Sequence, residues 1–369
     1  MNLMRKTGVA LLLAGLLSAA QAQILIGQTA GFTGAVASGV QETTDGAKLY
    51  IDSVNARGGV LGQKVELISL DDKFDPQLAA ANARKLIEEQ NVSALFLTRG
   101  TPHTEAIIPL LDKYGVALVG PSTGAMVLHK PVRKNVFNVR ATYQREAEKA
   151  ISHLVSMGIT KIAVVQADDS FGADGMMGAQ KGLEAAKLKA VLQEKFDRSK
   201  PDFGPIAPKI VQSQAQAVLM IASGTAVAEG YAAFRAAGSG AQMVTLSNNA
   251  SAGFAKSLGA NARGVIVTQV FPNERAMNFP LVREAQELAK AQGKEISPAM
   301  LEGYAAAKVL VEGLRRAGPK PTRERIQAAL ETLQKFDLGG LEVNFSPEDH
   351  TGLDFADLSI IGTDGKFRR

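Results

Sequence analysis

Hydroxyl side chains follow an apolar run at residues 95–106, which read "LFLTRGTPHTEA". Thr101 stands where an N-cap residue would lie, and Pro102 takes the first position of a predicted helix. The unpaired amides and the positive end of such a helix attract a carboxylate or a phosphate. The stretch therefore predicts an anion-binding turn with Thr101 and Thr104 beside the ligand, although a capped helix without a ligand would also explain it.

The turn "GPSTG", which ends at Gly124, follows the next apolar run and fits two kinds of site. Its G-x-S-x-G pattern matches the nucleophile elbow of hydrolases, with Ser122 as the nucleophile. A nucleophile elbow is followed by a long helix, however, and Pro131, seven residues after Gly124, would break such a helix. None of the four histidines stands in a motif that names a triad partner. We therefore interpret Ser122, Thr123 and Gly124 as polar groups of a binding turn beside Thr101, and assign no catalytic residue.

The sequence does not contain the residues that several common kinds of functional site require. The chain has no cysteine, which excludes disulfides and thiolate metal sites, and no helix carries an H-x-x-x-H pair. Neither a P-loop nor a strand-linked G-x-G-x-x-G is present, so we predict no metal and no cofactor. We interpret Asp71 and Asp72 as solvated loop carboxylates and Asp75 as a helix cap. The formal charge is +5, but the basic residues are not clustered in a run, so we expect no nucleic-acid partner.

Apolar strands alternate with helices along most of the chain. Asp75 is the predicted N-cap of a helix that begins with Pro76. This alternation indicates βαβ units, parallel sheets and an α/β fold. A break falls near residues 138–143, and a mostly helical part follows Phe271. The predicted strands lie within residues 23–34, 64–72, 93–100, 115–124, 161–172, 215–225, 242–251 and 264–271.

Further polar and aromatic residues follow the later strands. In open α/β sheets, ligands bind outside the carboxyl ends of the strands. These residues form no poised acid and base pair, so they are typical of a cleft that holds a molecule without transforming it. The candidate binding residues in this part of the chain are Phe171, Ser223, Thr225, Ser247 and Phe271.

Residues 1–22 have the features of a secretory signal peptide. Arg5 and Lys6 precede the apolar run "VALLLAGLLSAA", and small residues stand at both cleavage-determining positions, the second of them Ala22. We expect cleavage near Ala22 and an exported mature protein that acts as a monomer. Without Arg5 and Lys6 the formal charge falls from +5 to +3.

The sequence resembles the periplasmic receptors of the leucine/isoleucine/valine-binding type, which serve ABC importers. The resemblance covers residues 24–367. It is carried by "ILIGQTAGFTG", "IDSVNARGGVLGQKVELISLDDKFDP", "GTPHTEA", "GPSTG", "VFNVRATYQRE", "DDSFGADG" and "LEGYAAAKVLVEGL". It implies two Rossmann-like lobes with parallel sheets, joined by three hinge crossings, which close on a ligand. The first lobe would comprise residues 23–142 and 271–344, and the second residues 143–270 and 345–369.

The resemblance also implies roles for individual residues. Thr101 stands where the family binds the ligand carboxylate, and Ser122 and Gly124 stand where a carbonyl oxygen and a hydroxyl bind an ammonium. Phe171 matches an aromatic lid, and Ser223 falls near another aromatic position. Ser247 replaces the glutamate that amino-acid receptors place against the ammonium.

The replacement at Ser247 bears on the ligand, because an unpaired ammonium buried in a closed cleft would be costly. The expected ligand is therefore a small carboxylate-bearing organic acid, such as an aromatic or keto acid. Asp169 is a possible substitute for the missing acid, which keeps a branched-chain or related amino acid as the alternative. The expected partner is a membrane ABC permease; a ligand sensor of the same fold is a second functional class.

Overall fold

The computed structural model describes residues 23–369. The predicted signal peptide and its cleavage site lie outside the described residues. None of the helices within residues 23–369 has the length and hydropathy needed to cross a membrane.

The first part of the chain forms a five-stranded parallel sheet with helices on its faces. Asp75 caps α2 by accepting from the amides of Gln77 and Leu78, at 2.7 and 3.1 Å, which confirms the predicted helix start. The order of the strands across the sheet is β2-β1-β3-β4-β5. The elements are β1 (Ile24–Ala30), α1 (Ala37–Ala56), β2 (Val65–Asp71), α2 (Pro76–Glu88), β3 (Ala94–Phe96), α3 (Thr101–Tyr114), β4 (Leu118–Val119) and β5 (Val136–Phe137).

The chain then crosses to a second sheet at the predicted break, and Thr142 caps the first helix there by accepting from the Arg145 amide at 3.1 Å. The strands of this part are parallel to one another. The elements are α4 (Tyr143–Ser156), β6 (Ile162–Ala167), α5 (Ser170–Ala185), β7 (Leu192–Phe196), α6 (Ala207–Gln212), β8 (Ala217–Ile221), α7 (Thr225–Ala236), β9 (Gln242–Thr245), α8 (Ala252–Ser257) and β10 (Ile266–Gln269).

After β10 the chain returns to the first sheet, and then crosses a third time. Helix α10 packs along α1, and β13 joins β10 in antiparallel pairing. The second sheet is thereby completed in the order β14-β13-β10-β9-β8-β6-β7. The elements are α9 (Pro280–Ala291), α10 (Pro298–Ala317), α11 (Arg323–Glu331), the hairpin of β11 (Phe336–Asp337) and β12 (Glu342–Val343), β13 (Asp357–Ile361) and β14 (Phe367–Arg368).

Separate hydrophobic cores support the two sheets. One cluster joins residues 24–141 to residues 270–353, and two others fill the faces of the second sheet. The predicted α/β fold of two lobes joined by three crossings is therefore confirmed. The lobe limits stay a prediction; Phe345 and Leu353, beyond the predicted limit at residue 344, pack into the first cluster.

Candidate ligand-binding cleft

Turns at the carboxyl ends of both sheets meet across a cleft between the lobes. The Thr225 amide donates to the Ala35 carbonyl oxygen at 3.1 Å. A second contact joins the Arg99 guanidinium to the Asn248 carbonyl oxygen. Because parallel strands place their carboxyl ends at one edge of a sheet, the polar turns of the two lobes face each other here.

Two of the predicted threonines, Thr101 and Thr123, bond to each other at this edge. Helix α3 begins at Thr101, and its N-cap is Gly100, so the prediction that Thr101 is the N-cap is wrong, and Pro102 takes the second helical position. With glycine at the cap and a φ of 92°, the chain enters the helix one residue earlier than expected. The Thr101 Oγ1 lies 2.8 Å from Thr123 Oγ1, and Thr104 Oγ1 donates to the Gly100 carbonyl oxygen at 2.9 Å. A role of these hydroxyls in ligand binding stays a prediction.

Ser122 lies between two charged side chains. Its hydroxyl donates to Glu302 Oε1 at 2.7 Å and accepts from Arg99 Nη1 at 3.0 Å. Glu302 belongs to α10, far along the chain, and is the acidic residue in the mostly apolar stretch "AMLEGYAAAKVL". The hydroxyl that would act as a nucleophile therefore bonds a carboxylate and a guanidinium, and a general base of the histidine type is not its partner.

A buried carboxylate does lie beside Ser247, but it comes from another element. The Ser247 amide donates to Glu146 Oε2 at 2.9 Å, and the Ser247 hydroxyl accepts from Arg140 Nη2 at 2.7 Å. Arg140 also pairs with Glu146, and the Thr268 hydroxyl donates to the same carboxylate. Burial alone would lower the pKa of Arg140, but Glu146 and Glu302 outweigh it and raise that pKa.

These groups form a charge-balanced network where the turns of the two lobes meet. It contains two guanidinium groups, from Arg99 and Arg140, and two carboxylates, from Glu146 and Glu302, and all four are buried. Buried charges are tolerated when they are paired and hydrogen-bonded. The pairing therefore offsets part of the cost of burying these charges where the polar turns of the two lobes pack together.

A cavity of about 180 Å³ lies between the lobes, and its wall contains none of the four charged residues of this network. An apolar cavity of roughly 150 Å³ is enough to hold benzene, so this one has the size of a small organic molecule. Two of the predicted binding residues, Ser223 and Thr225, contribute to its wall. The lining residues are Ala35, Phe74, Ala167, Phe196, Arg198, Ser199, Pro201, Ser223, Thr225, Ala226 and Glu229.

Arg198 forms one side of the cavity and is held by three neighbours. Its Nε contacts Asp169 Oδ2, and the guanidinium carbon lies 5.2 Å from the ring centroid of Phe74 and 5.4 Å from that of Phe171. The other Asp169 oxygen caps α5 by accepting from the Gly172 amide at 3.0 Å. Both Asp169 oxygens are thus engaged, so Asp169 is poorly placed to take a ligand ammonium, and Phe171 reaches the cleft next to Arg198.

Gly124 and Phe271 lie in packed positions outside the cavity wall. A Cβ at Gly124 would stand 2.5 Å from the Ala141 carbonyl oxygen, and the Gly124 carbonyl oxygen accepts from the Tyr143 amide at 2.8 Å. Phe271 is buried in the core of the first sheet. Gly124 therefore permits a close approach of the first crossing, and the binding roles of both residues stay predictions.

The prediction of a solvated Asp72 is wrong, because this side chain is fully buried. It accepts from the Thr29 hydroxyl at 3.0 Å and from the Phe74 amide at 2.9 Å. Burial raises the pKa of Asp72 to about 6, and the nearby carboxylates of Asp71 and Asp75 add to this effect. Phe74 has a φ of 59°, a strained region for an aromatic residue, so the Asp72 bond supports the turn that brings Phe74 to the cavity.

Comparison with known proteins agrees with this architecture. The model of the periplasmic binding protein family matches residues 23–356, and the chain belongs to that family. More narrowly, it is a solute-binding receptor of the leucine/isoleucine/valine-binding type, as the resemblance implied. Membership of this family implies export to the periplasm, and its members are binding proteins rather than enzymes.

Individual relatives match over different lengths. A Leu/Ile/Val-binding protein, BraC3, of Rhizobium johnstonii is 27% identical over 88% of this chain and 89% of its own. An amino acid binding protein of Pseudomonas aeruginosa is 27% identical, over 55% of each chain. The crystal structure of a substrate-binding periplasmic protein from Ralstonia solanacearum superposes with a TM-score of 0.86 at 32% identity, covering 94% of this chain and 99% of that one.

Proposed function

We propose that this protein captures a small carboxylate-bearing ligand between its two lobes and delivers it to an ABC permease. The observation that carries the proposal is the cavity of about 180 Å³ between the lobes. Phe74, after β2 of the first sheet, and Ser223, after β8 of the second, both contribute to its wall. A ligand held there contacts both lobes and so stabilises their closed arrangement.

Of the two ligand classes that the sequence left open, the amino-acid class has more support. The matched Rhizobium and Pseudomonas relatives carry amino-acid-binding names. The argument for an organic acid rested on the missing glutamate at Ser247, and the carboxylate of Glu146 lies beside that residue. Glu146 is paired with Arg140, however, so the ammonium partner has to be sought elsewhere in the cleft.

The proposal excludes catalysis at Ser122. Arg99 and Glu302 hold the Ser122 hydroxyl in the charge-balanced network, and the hydroxyl has no hydrogen bond to a histidine among the described residues. Across residues 23–369, His, Cys, Asp and Glu side chains form no group of three or more that would hold a metal ion. Purified protein should leave a chromogenic ester intact, and ester hydrolysis that disappears in Ser122→Ala would contradict the receptor function.

Ligand capture is tested on the exported protein purified without denaturant. Mass spectrometry of molecules released by denaturation identifies what the protein carries. Titration calorimetry with amino acids and organic acids then measures affinity, and small-angle scattering measures the radius of gyration. Saturating ligand should raise the melting temperature, because it binds only the native cleft, and should reduce the radius. A ligand that binds tightly without changing the radius would rule out capture by lobe closure.

A further inference from the structure

We propose that Arg198 and Glu229 select the ligand: Arg198 binds its carboxylate, and Glu229 binds a cationic group on the same molecule. This inference rests on the proposed function, since it concerns the same cavity. Neither residue lies in the motifs that carry the family resemblance. Both contribute directly to the cavity wall.

The guanidinium of Arg198 is already held in place for binding. Asp169 holds its Nε, while the rings of Phe74 and Phe171 flank the planar group at 5.2 and 5.4 Å. Its Nη2 has no hydrogen-bond partner within the described residues. Because a guanidinium presents its donors in a fixed fork that matches a carboxylate, an immobilised arginine binds such a group with little further loss of entropy.

The contact with Phe74 also makes Arg198 sensitive to closure. Phe74 follows β2 of the first sheet, whereas Arg198 follows β7 of the second. The flanking ring is therefore in position only when the two lobes are together. A ligand carboxylate on Arg198 is consequently bound more strongly in the closed arrangement, which couples recognition to closure.

Glu229 supplies the opposite charge. It lies on α7 one turn after Thr225, and residues four apart share a helix face, so both side chains reach the same cavity. The structure records no hydrogen bond or ion pair between the Glu229 side chain and another described residue. A carboxylate in this position attracts an ammonium group on a bound molecule.

The charges around the cavity favour a ligand that carries both groups. Arg198 brings one positive charge, while Glu229 on the wall and Asp169 behind Arg198 bring two negative ones. A carboxylate without an ammonium would add a third negative charge beside these two. A zwitterion pairs with both residues, and its apolar remainder faces the rings of Phe74 and Phe196. This reverses the expectation of an organic acid drawn from Ser247.

The experiment compares amino acids with their α-keto acids, which keep the carboxylate and the carbon skeleton but lack the ammonium. Titration calorimetry is run with leucine, valine, phenylalanine and their keto acids on the wild type, Glu229→Gln and Arg198→Met. Glu184→Gln is the matched control, because Glu184 is an exposed glutamate of the same lobe outside the cavity wall. Circular dichroism and the melting temperature without ligand verify that each variant is folded.

We expect the wild type to bind at least one amino acid more tightly than its keto acid. Glu229→Gln should weaken that amino acid by up to about fivefold, as for a lost exposed ion pair, and leave the keto acid nearly unchanged. Arg198→Met should weaken both compounds, and Glu184→Gln neither.

Two results would overturn the inference and leave the proposed function standing. One is tighter binding of the keto acids by the wild type. The other is an unchanged ratio of amino-acid to keto-acid affinity in folded Glu229→Gln. Failure to bind any carboxylate-bearing compound, including those found by mass spectrometry, would instead reject the proposed function itself.

Discussion

Asp72→Asn tests the buried carboxylate that supports the cavity turn. Asparagine has nearly the same shape, and its side-chain oxygen still accepts from the Phe74 amide, but it has no ionisable proton. The native Asp72 is fully buried, and burial, as the largest cause, raises its pKa to about 6. The substitution therefore removes a titrating group and largely preserves the packing.

The direction of the pH effect follows from that raised pKa. An unfolded aspartate titrates near pH 3.9, so the folded protein holds this proton more tightly than the unfolded chain. The resulting stabilisation is complete below about pH 4 and is lost as the pH rises through about 6. Between about pH 5 and about pH 7 the wild type should lose roughly 1 kcal/mol of unfolding free energy relative to Asp72→Asn.

Other buried groups also make the unfolding free energy depend on pH, so the effect of Asp72 has to be measured as the difference between the wild type and the variant. Burial lowers the pKa of His103 and of His129 to about 4, so these residues stabilise the fold above pH 6.5 and lose that contribution as the pH falls towards 4. Asp174, whose pKa burial raises to about 6, acts in the same direction as Asp72. Subtracting the wild-type curve from the variant curve cancels these contributions.

The assay is urea unfolding of both proteins at several pH values between about 5 and 7, with linear extrapolation to water. Asp52→Asn is the control, because Asp52 is an exposed aspartate on α1. If the difference between wild type and Asp72→Asn is the same at both ends of this range, Asp72 does not titrate there. Such a result would refute the reasoning from its burial.

Three further predictions concern packing and pairing. Arg140→Met should lower the free energy of unfolding by about 3–5 kcal/mol, because it leaves Glu146 buried without its cation. Adding Glu146→Gln should restore part of that lost stability, which urea unfolding of both single variants and the double variant measures. Gly303→Ala should lower the melting temperature, since its Cβ would stand 1.8 Å from a backbone oxygen of α1, whereas Gly240→Ala, with no atom within 4 Å, should not. Thr101→Val should lower the free energy of unfolding by about 1–3 kcal/mol, because it leaves the buried Thr123 hydroxyl unpaired. Calorimetry then measures the ligand affinity of this variant, and an unchanged affinity would make the role of Thr101 purely structural.

The alternation of strands and helices was predictable from the sequence because its signals are local. Hydrophobic periodicity and caps such as Asp75 before Pro76 depend on neighbouring residues, and both located α2 correctly. The break near residues 138–143 marked the first crossing. The same local reasoning missed β7, whose mixed polar and apolar residues show no clear period.

Local reasoning also failed at the start of α3. Thr101 and Gly100 are both acceptable N-cap residues, so the sequence could not decide between them. In the folded protein the Thr123 hydroxyl, from the neighbouring turn, lies 2.8 Å from Thr101 Oγ1. A partner brought by the adjacent strand settled the choice, and Gly100 became the cap.

The sequence by itself determined the fold class and the edge of the sheets at which the candidate site lies, because both follow from the order of local elements. Only the tertiary structure decided which side chains occupy that edge. Glu302 meets Ser122 across 180 positions of sequence, and Arg198 meets Phe74 from the opposite lobe. Residues so far apart in the chain leave no periodic or capping signal, since their contact depends on how the elements and lobes pack rather than on adjacent residues.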